Sequence, residues 1–320
     1  MLGRRFLGSF LRNSTPSRFA MATQSKRNSS SYLLKAVDTD ENERLDIQHR
    51  MCMHMLQDDI LHPSIPKKLG RVADIATGNG TFTNIQAKPN RTSRTWLYDI
   101  KEARKKVQES SAPSTKYHGF DVSPDLFPKP GSPRKVADID FTAHDFYKPF
   151  PEEHIGKYDL VHARHLILAV EGADLIPATK HITSLLKPGG YLQWEEYDFQ
   201  DQLDNCHPCK LTTTWTTILN WVGERYSLAF SDKVRDEVAA AGLEILEKKQ
   251  FTTRGLPYCE DHRLNQLTAF HTGVPRMCLK AKGRSDEEIE KVYAECLEEL
   301  DNGVILDYYM SRVVARKPVN

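Results

Sequence analysis

Two carboxylates and a turn of small residues carry the chemistry that this chain suggests. Asp74 closes on the apolar run "RVADIA" (71–76), and Thr77, Gly78, Asn79 and Gly80 follow, so a strand opens into a turn where two glycines let backbone amides approach a ligand. Asp121 ends a second apolar run, "KYHGFD" (116–121), and its two oxygens suit a pair of ribose hydroxyls. In an open parallel sheet, ligands sit at the carboxyl ends of the strands beside the first strand, where both residues fall.

The type of nucleotide follows from what the turn lacks. A dinucleotide site needs a third glycine, and position 83 is Thr83. A pyrophosphate would also be repelled by the carboxylate of Asp74. Both features favour S-adenosylmethionine, whose sulfonium and ammonium are positive and which needs no helix end aimed at a phosphate.

The elements that must hold these residues are short. "KYDLVHA" (157–163) and "GYLQWEE" (190–196) join the two runs above as strands. A helix "DLIPATKHITSLL" (174–186) precedes the last of them and ends at "KPGG". A leading helix is expected from Asp40 to about Leu61, with Leu45, Cys52, Leu56 and Ile60 facing inward and Pro63 beyond its end. This alternation predicts an α/β, doubly wound, mostly parallel sheet. Two later strands, "LEILEKKQF" (243–251) and one within 304–318, are separated by about fifty residues with a charged helix, read as a helical cap insertion over 253–303. His165 is read as the start of an apolar helix. Glu195 and Glu196 alternate along a strand, so one of them is read as facing the site and the other as solvated.

Composition narrows the function. Before Asp38 stand Arg4, Arg5, Arg12, Arg18, Lys26, Arg27 and Lys35 without an acid, and the remainder carries 37 Lys and Arg against 43 Asp and Glu. That mildly acidic body has no footprint for nucleic acid. No apolar run approaches the roughly 20 residues of a membrane span. The leader, residues 1–31, is Arg- and Ser-rich like a mitochondrial transit peptide; the other reading is a disordered leader, or a natural start at Met21, on a cytoplasmic protein. Residues 32–320 are then one domain. Six spread cysteines make no disulfide framework. Cys206, Cys209, Cys259 and His262 are too widely separated for a zinc ribbon, so no metal is expected.

"VADIATGNG", "GFDVSPDLFP", "HDFYKPFP", "YDLVHARHLI" and "LKPGGYLQWEE", in this order, resemble the class I S-adenosylmethionine-dependent methyltransferases. "YLLKAVDTDENERLDIQHRM" and the closing "VVARKP" strengthen a resemblance to the fungal group of LaeA-type regulators and secondary-metabolite methyltransferases. It implies a seven-stranded, Rossmann-like methyltransferase fold. It also implies that Asp74, Ala76, Thr77, Gly78, Asn79 and Gly80 line the methionine part of the cofactor, that Asp121 and Val122 meet the ribose, and that Asp145 and Phe146 flank the adenine. His162, Ala163 and Arg164 border the methyl-transfer site. Ala76 replaces a glycine common at that position, a change expected to be tolerated. The family runs from the glycine turn almost directly into a helix like "WLYDIKEARKK"; here residues 82–95 intervene, as a surface loop or as translated intron sequence.

The function implied is methyl transfer to an oxygen or nitrogen of a small molecule, with His162 as candidate base. The acceptor pocket is expected among the leading helix, residues 200–230 and the cap, with Trp215, Trp221, Tyr226, Tyr258 and Phe270. The alternatives are a LaeA-like regulator acting through a protein partner, and an NAD(P)-dependent oxidoreductase, disfavoured by the missing glycine.

Overall fold

The short apolar runs become the inner strands of a seven-stranded sheet. The strands are β1 (Arg71–Ile75), β2 (Lys116–Asp121), β3 (Ile139–Ala143), β4 (Tyr158–Arg164), β5 (Leu186–Tyr197), β6 (Glu244–Thr252) and β7 (Tyr309–Arg316). Their spatial order is β3-β2-β1-β4-β5-β7-β6. β7 runs antiparallel to both of its neighbours, and the other pairings are parallel. The winding therefore reverses between β1 and β4, the switch point where a crevice opens at the strands' carboxyl ends.

This computed structural model describes residues 39–57, 59–78, 96–105, 114–128, 138–170, 174–205, 213–224, 226–271, 279–280 and 282–319, all within a compact unit Leu33–Asn320. The leader, Asn79, Gly80, residues 82–95, Cys206 and Cys209 lie outside the described residues.

The helices are α1 (Thr39–Leu56), α2 (Trp96–Lys105), α3 (Leu175–Ser184), α4 (Phe199–Asn205), α5 (Thr213–Gly223), α6 (Phe230–Ala240), α7 (Glu260–His271) and α8 (Asp286–Asp301). Both faces of the sheet are covered. Val161, Ala163 and Trp194 join Leu175 and Ile182 of α3 and Val234 and Val238 of α6 in one core. Val72, Leu160 and Tyr117 join Trp96, Leu97 and Ile100 of α2 in another. Period-two alternation along β4 thus sends successive side chains into two different apolar layers, as an inner strand of a doubly wound sheet requires.

Several sequence expectations are corrected by this architecture. "IDFTA" (139–143) forms β3 at the sheet edge, half exposed and without an apolar run to announce it. The segment after β4 makes a turn rather than an apolar helix, because His165 sits at φ +58 and the amides of Leu166 and Ile167 donate to the Glu196 carboxylate (2.8 and 3.2 Å). Both Glu195 and Glu196 are buried, at 0% and 1% exposure, since β5 has protein on both faces. "KPGG" falls inside β5 rather than before it: a Cβ at Gly190 would stand 2.8 Å from the Tyr158 carbonyl oxygen, where the register with β4 shifts.

Between β6 and β7 the chain builds α7 and α8. α8 starts with a capping box: the Glu288 amide donates to Ser285 Oγ (3.1 Å) and the Ser285 amide to Glu288 Oε2 (2.9 Å), worth about 1 kcal/mol. Ile289, Tyr293 and Cys296 of α8 pack with Trp215, Ile218 and Val222 of α5 in a separate apolar cluster that Leu168 and Phe199 also touch. Among the described residues no helix is long and apolar enough to cross a membrane.

Candidate functional site

The turn after β1 is held from three sides. Asp74, at 5% exposure, accepts from Thr77 Oγ1 (2.8 Å) and contacts His162 Nδ1 of β4 (2.7 Å). The Thr77 amide donates to the Phe120 carbonyl (3.0 Å), and the Gly78 amide donates to Asp121 Oδ2 (2.8 Å), joining the turn to the end of β2. Gly78 takes φ +64, and Ala76, two residues earlier, also takes a positive φ, +54, although it carries a Cβ. The left-handed region costs a non-glycine residue about 1–2 kcal/mol, which gives the physical reason for a glycine at that position. Ala76→Gly relieves that strain against an entropic cost of about 0.5–1 kcal/mol, so urea unfolding should show stability unchanged or raised by up to about 1 kcal/mol.

Asp121 is 7% exposed; its second oxygen accepts from the Ser123 amide (2.9 Å). Burial pushes its carboxyl up to about 6, and the amides of Ser123 and Gly78 partly oppose that shift. Each oxygen retains a lone pair for a further donor.

On the β4 side the side chains alternate. Ala163 turns into the core with Ile75 and Phe120, whereas His162 and Arg164 lie on the α2 side. Trp96 stacks on the His162 ring at 3.7 Å and 2°. Arg164 Nη2 donates to His49 Nδ1 (2.7 Å), which places the His49 proton on Nε2, facing Asp99 Oδ2 at 3.0 Å. Burial lowers the His49 pKa despite the Asp99 hydrogen bond. α1 thereby crosses the strand ends: Leu45 would meet a Cβ at Gly78 at 3.4 Å, His49 meets Arg164, and Cys52 Sγ lies 3.2 Å from His165 Nε2. Burial pushes the Cys52 thiol up to about 11, so it is a protonated, unreactive thiol at neutral pH. α1 is tied to α7 by a bidentate pair in which Arg50 donates to Asp261 (2.9 and 3.0 Å).

The sequence-predicted residues therefore fall into two groups. Asp74, Thr77, Gly78, Asp121 and His162 are linked by direct hydrogen bonds. Asp145 and Phe146 follow β3, two strands from β1, where Asp145 accepts from the Tyr147 amide (3.0 Å) and the Phe146 carbonyl contacts His181 Nδ1 (3.2 Å). Val122 is half-buried just beyond Asp121. Of the expected acceptor-pocket aromatics, Trp215 and Tyr226 are buried in the cap cluster and Tyr258 is 65% exposed. The Trp221 ring lies under the Arg284 guanidinium at 4.4 Å. The Phe270 side chain lies outside the described residues.

Sequence reasoning missed Trp96, His49, Gln193 and Arg312. Arg312 Nε donates to Glu195 Oε1 (2.9 Å), as does Gln193 Nε2 (2.9 Å). Glu196 accepts from Trp194 Nε1 (2.7 Å) besides the two turn amides, and burial pushes its carboxyl up to about 8. No group of three or more metal-ligating side chains occurs among the described residues.

The donor set at the strand ends suits a cationic, hydroxyl-bearing ligand. Two carboxylates, Asp74 and Asp121, stand near the ends of adjacent strands beside the switch point, where a phosphate would be repelled.

Comparison with known proteins agrees. A family model described as a methyltransferase domain matches residues 46–248. The methyltransferase grgD of a Penicillium species is 32% identical over 174 residues, 54% of each chain. The N-methyltransferase verN of Clonostachys rogersoniana is 27% identical over 157 residues, 49% of this chain and 47% of its own. The chain thus spans about half the length of the curated relatives it matches. Among solved structures, a Haemonchus contortus phosphoethanolamine N-methyltransferase 2 in complex with S-adenosyl-L-methionine is 14% identical, with 87% of this chain and 52% of that chain covered at a TM-score of 0.42. The family model spans more than half of the sequence: this chain belongs to the methyltransferase domain family.

Proposed function

We propose that this protein transfers a methyl group from S-adenosylmethionine to a nitrogen or oxygen nucleophile of a small molecule, of the kind made in fungal secondary metabolism. The observation that carries the reading is the pair of buried carboxylates near the ends of β1 and β2, with Asp74 holding Thr77 and Asp121 accepting from the Gly78 amide of the same turn. Asp121 is assigned to the ribose hydroxyls, and the Asp74–Gly78 turn to the methionine part. Asp145 and Phe146 are assigned to the adenine. The N-methyltransferase relative supports nitrogen as the acceptor atom.

When bound, the cofactor supplies an already activated methyl group on its sulfonium. The protein's task is then alignment, which can be worth roughly 7–11 kcal/mol. The strand-end residues fix the donor side. α1, latched to α7 through Arg50 and Asp261 and reaching the Gly78 turn and Arg164 with Leu45 and His49, is assigned to shielding the donor side. His162 is assigned to holding Asp74 rather than to removing a proton from the acceptor: it is 1% exposed, and each of its ring nitrogens already faces a carboxylate.

Titration calorimetry with S-adenosylmethionine and with NAD tests the reading, followed by incubation with methyl-labelled cofactor and a panel of small amines and phenols. Binding in the micromolar range, about 8 kcal/mol, is expected for S-adenosylmethionine, with no heat from NAD and with label appearing in an amine or phenol. Tight NAD binding with no response to S-adenosylmethionine would overturn it.

A further inference from the structure

Glu195 is a charged side chain with no exposed surface that the reading above leaves without a task. Its Oε1 accepts from Arg312 Nε of β7 and from Gln193 Nε2 (both 2.9 Å). Its Oε2 lies 3.5 Å from His162 Nε2 and 3.9 Å from Arg164 Nη1. Burial alone would raise this carboxyl, but the His162 hydrogen bond and the charges of Arg312, His162 and Arg164 outweigh it and hold Glu195 below the usual carboxylate range. Glu195 is therefore ionised and can only accept.

The opposite ring nitrogen of His162, Nδ1, lies 2.7 Å from Asp74 Oδ1. A carboxylate stands on each ring nitrogen, so the imidazole bridges Asp74 and Glu195. The ring cannot swing away, because Trp96 stacks flat against it. One continuous line of contacts results, from Arg312 through Glu195, His162 and Asp74 to Thr77. It joins β7, across β5, β4 and β1, to the turn assigned to the cofactor.

We infer that Glu195 is a positioning residue for cofactor binding: through His162 it fixes Asp74, and with it the Thr77–Gly78 turn, in the arrangement that receives S-adenosylmethionine. The inference rests on the assignment of that turn to the cofactor. Glu195 itself lies one strand beyond His162 and contacts Asp74 through the imidazole.

The test combines titration of S-adenosylhomocysteine with nitrogen-15 NMR of the His162 ring, identified by its absence in His162→Gln. Loss of a charge-assisted contact predicts that Glu195→Gln weakens S-adenosylhomocysteine roughly tenfold and shifts the nitrogen-15 resonances of the His162 ring. Glu195→Asp, which keeps the charge, should recover part of the affinity. Because Glu195 acts through the ring, the double variant Glu195→Gln, His162→Gln should bind no more weakly than His162→Gln alone.

Additive losses, or wild-type affinity in Glu195→Gln, overturn the inference while leaving the cofactor site intact. Absence of S-adenosylhomocysteine binding by the wild-type protein overturns the site assignment and this inference with it. Should Glu195→Gln fail to fold, Glu195→Asp decides: weakened S-adenosylhomocysteine binding together with shifted His162 ring resonances supports the inference, and wild-type affinity ends it.

Discussion

Arg312→Met should destabilise the protein by about 3–5 kcal/mol at pH 7, the range for removing one partner of a buried ion pair. Arg312 and Glu195 have side-chain exposures of 1% and 0%, so the carboxylate left behind has no water to replace the guanidinium. Arg312 also donates to the Asp59 carbonyl oxygen and lies over the Phe251 ring at 5.1 Å, so the variant loses contacts to a loop and a strand as well. The pH dependence distinguishes charge from packing. Glu195 is depressed in the folded protein, so its contribution is present above the ordinary carboxylate range and is lost as pH falls through and below it. The difference between wild type and Arg312→Met, measured by urea unfolding, should therefore shrink below about pH 4.5. A constant difference down to the acid limit would assign the effect to packing alone.

Local signals were legible in the sequence wherever one element carried them. β1, β2 and β4 announce themselves as short apolar runs ended by polar or small residues, and "RVADIA" and "KYHGFD" coincide with their strands to within a residue. Asp74 and Asp121 were legible for the same reason, as each terminates its own run. β3 was not: an edge strand buried on one side needs few apolar residues, and "IDFTA" has no uninterrupted stretch of them.

Tertiary context explains the remaining differences. Reading one of Glu195 and Glu196 as solvated assumed that β5 has a wet face, but the sheet is covered on both sides and the Glu196 carboxylate is spent on two turn amides and Trp194. That same capture holds "HLILAV" in a turn, with His165 at a positive φ that no periodicity signals. Arg312 reaches Glu195 from β7, 117 residues along the chain, and only the strand order makes them neighbours. Ala76 looked like a neutral replacement because sequence carries no φ; the left-handed backbone there makes it a strained one.

If the cofactor sits on the ends of β1 and β2, Asp121→Ala and Asp99→Ala must part company in S-adenosylmethionine titration. By spacing alone Asp99, 19 residues after Gly80, is the better ribose ligand, but its segment reads as helix, whereas Asp121 ends a strand. In the fold, Asp99 lies on α2 and faces His49 Nε2 at 3.0 Å, whereas Asp121 ends β2 and holds the Gly78 amide at 2.8 Å. Charge-assisted hydrogen bonds contribute about 1.5–3 kcal/mol each, so Asp121→Ala should weaken S-adenosylmethionine roughly ten- to hundredfold, and Asp99→Ala far less. Both variants must keep a cooperative unfolding transition for the comparison to stand. Near-complete loss of binding in Asp99→Ala with wild-type affinity in Asp121→Ala would contradict this placement of the cofactor.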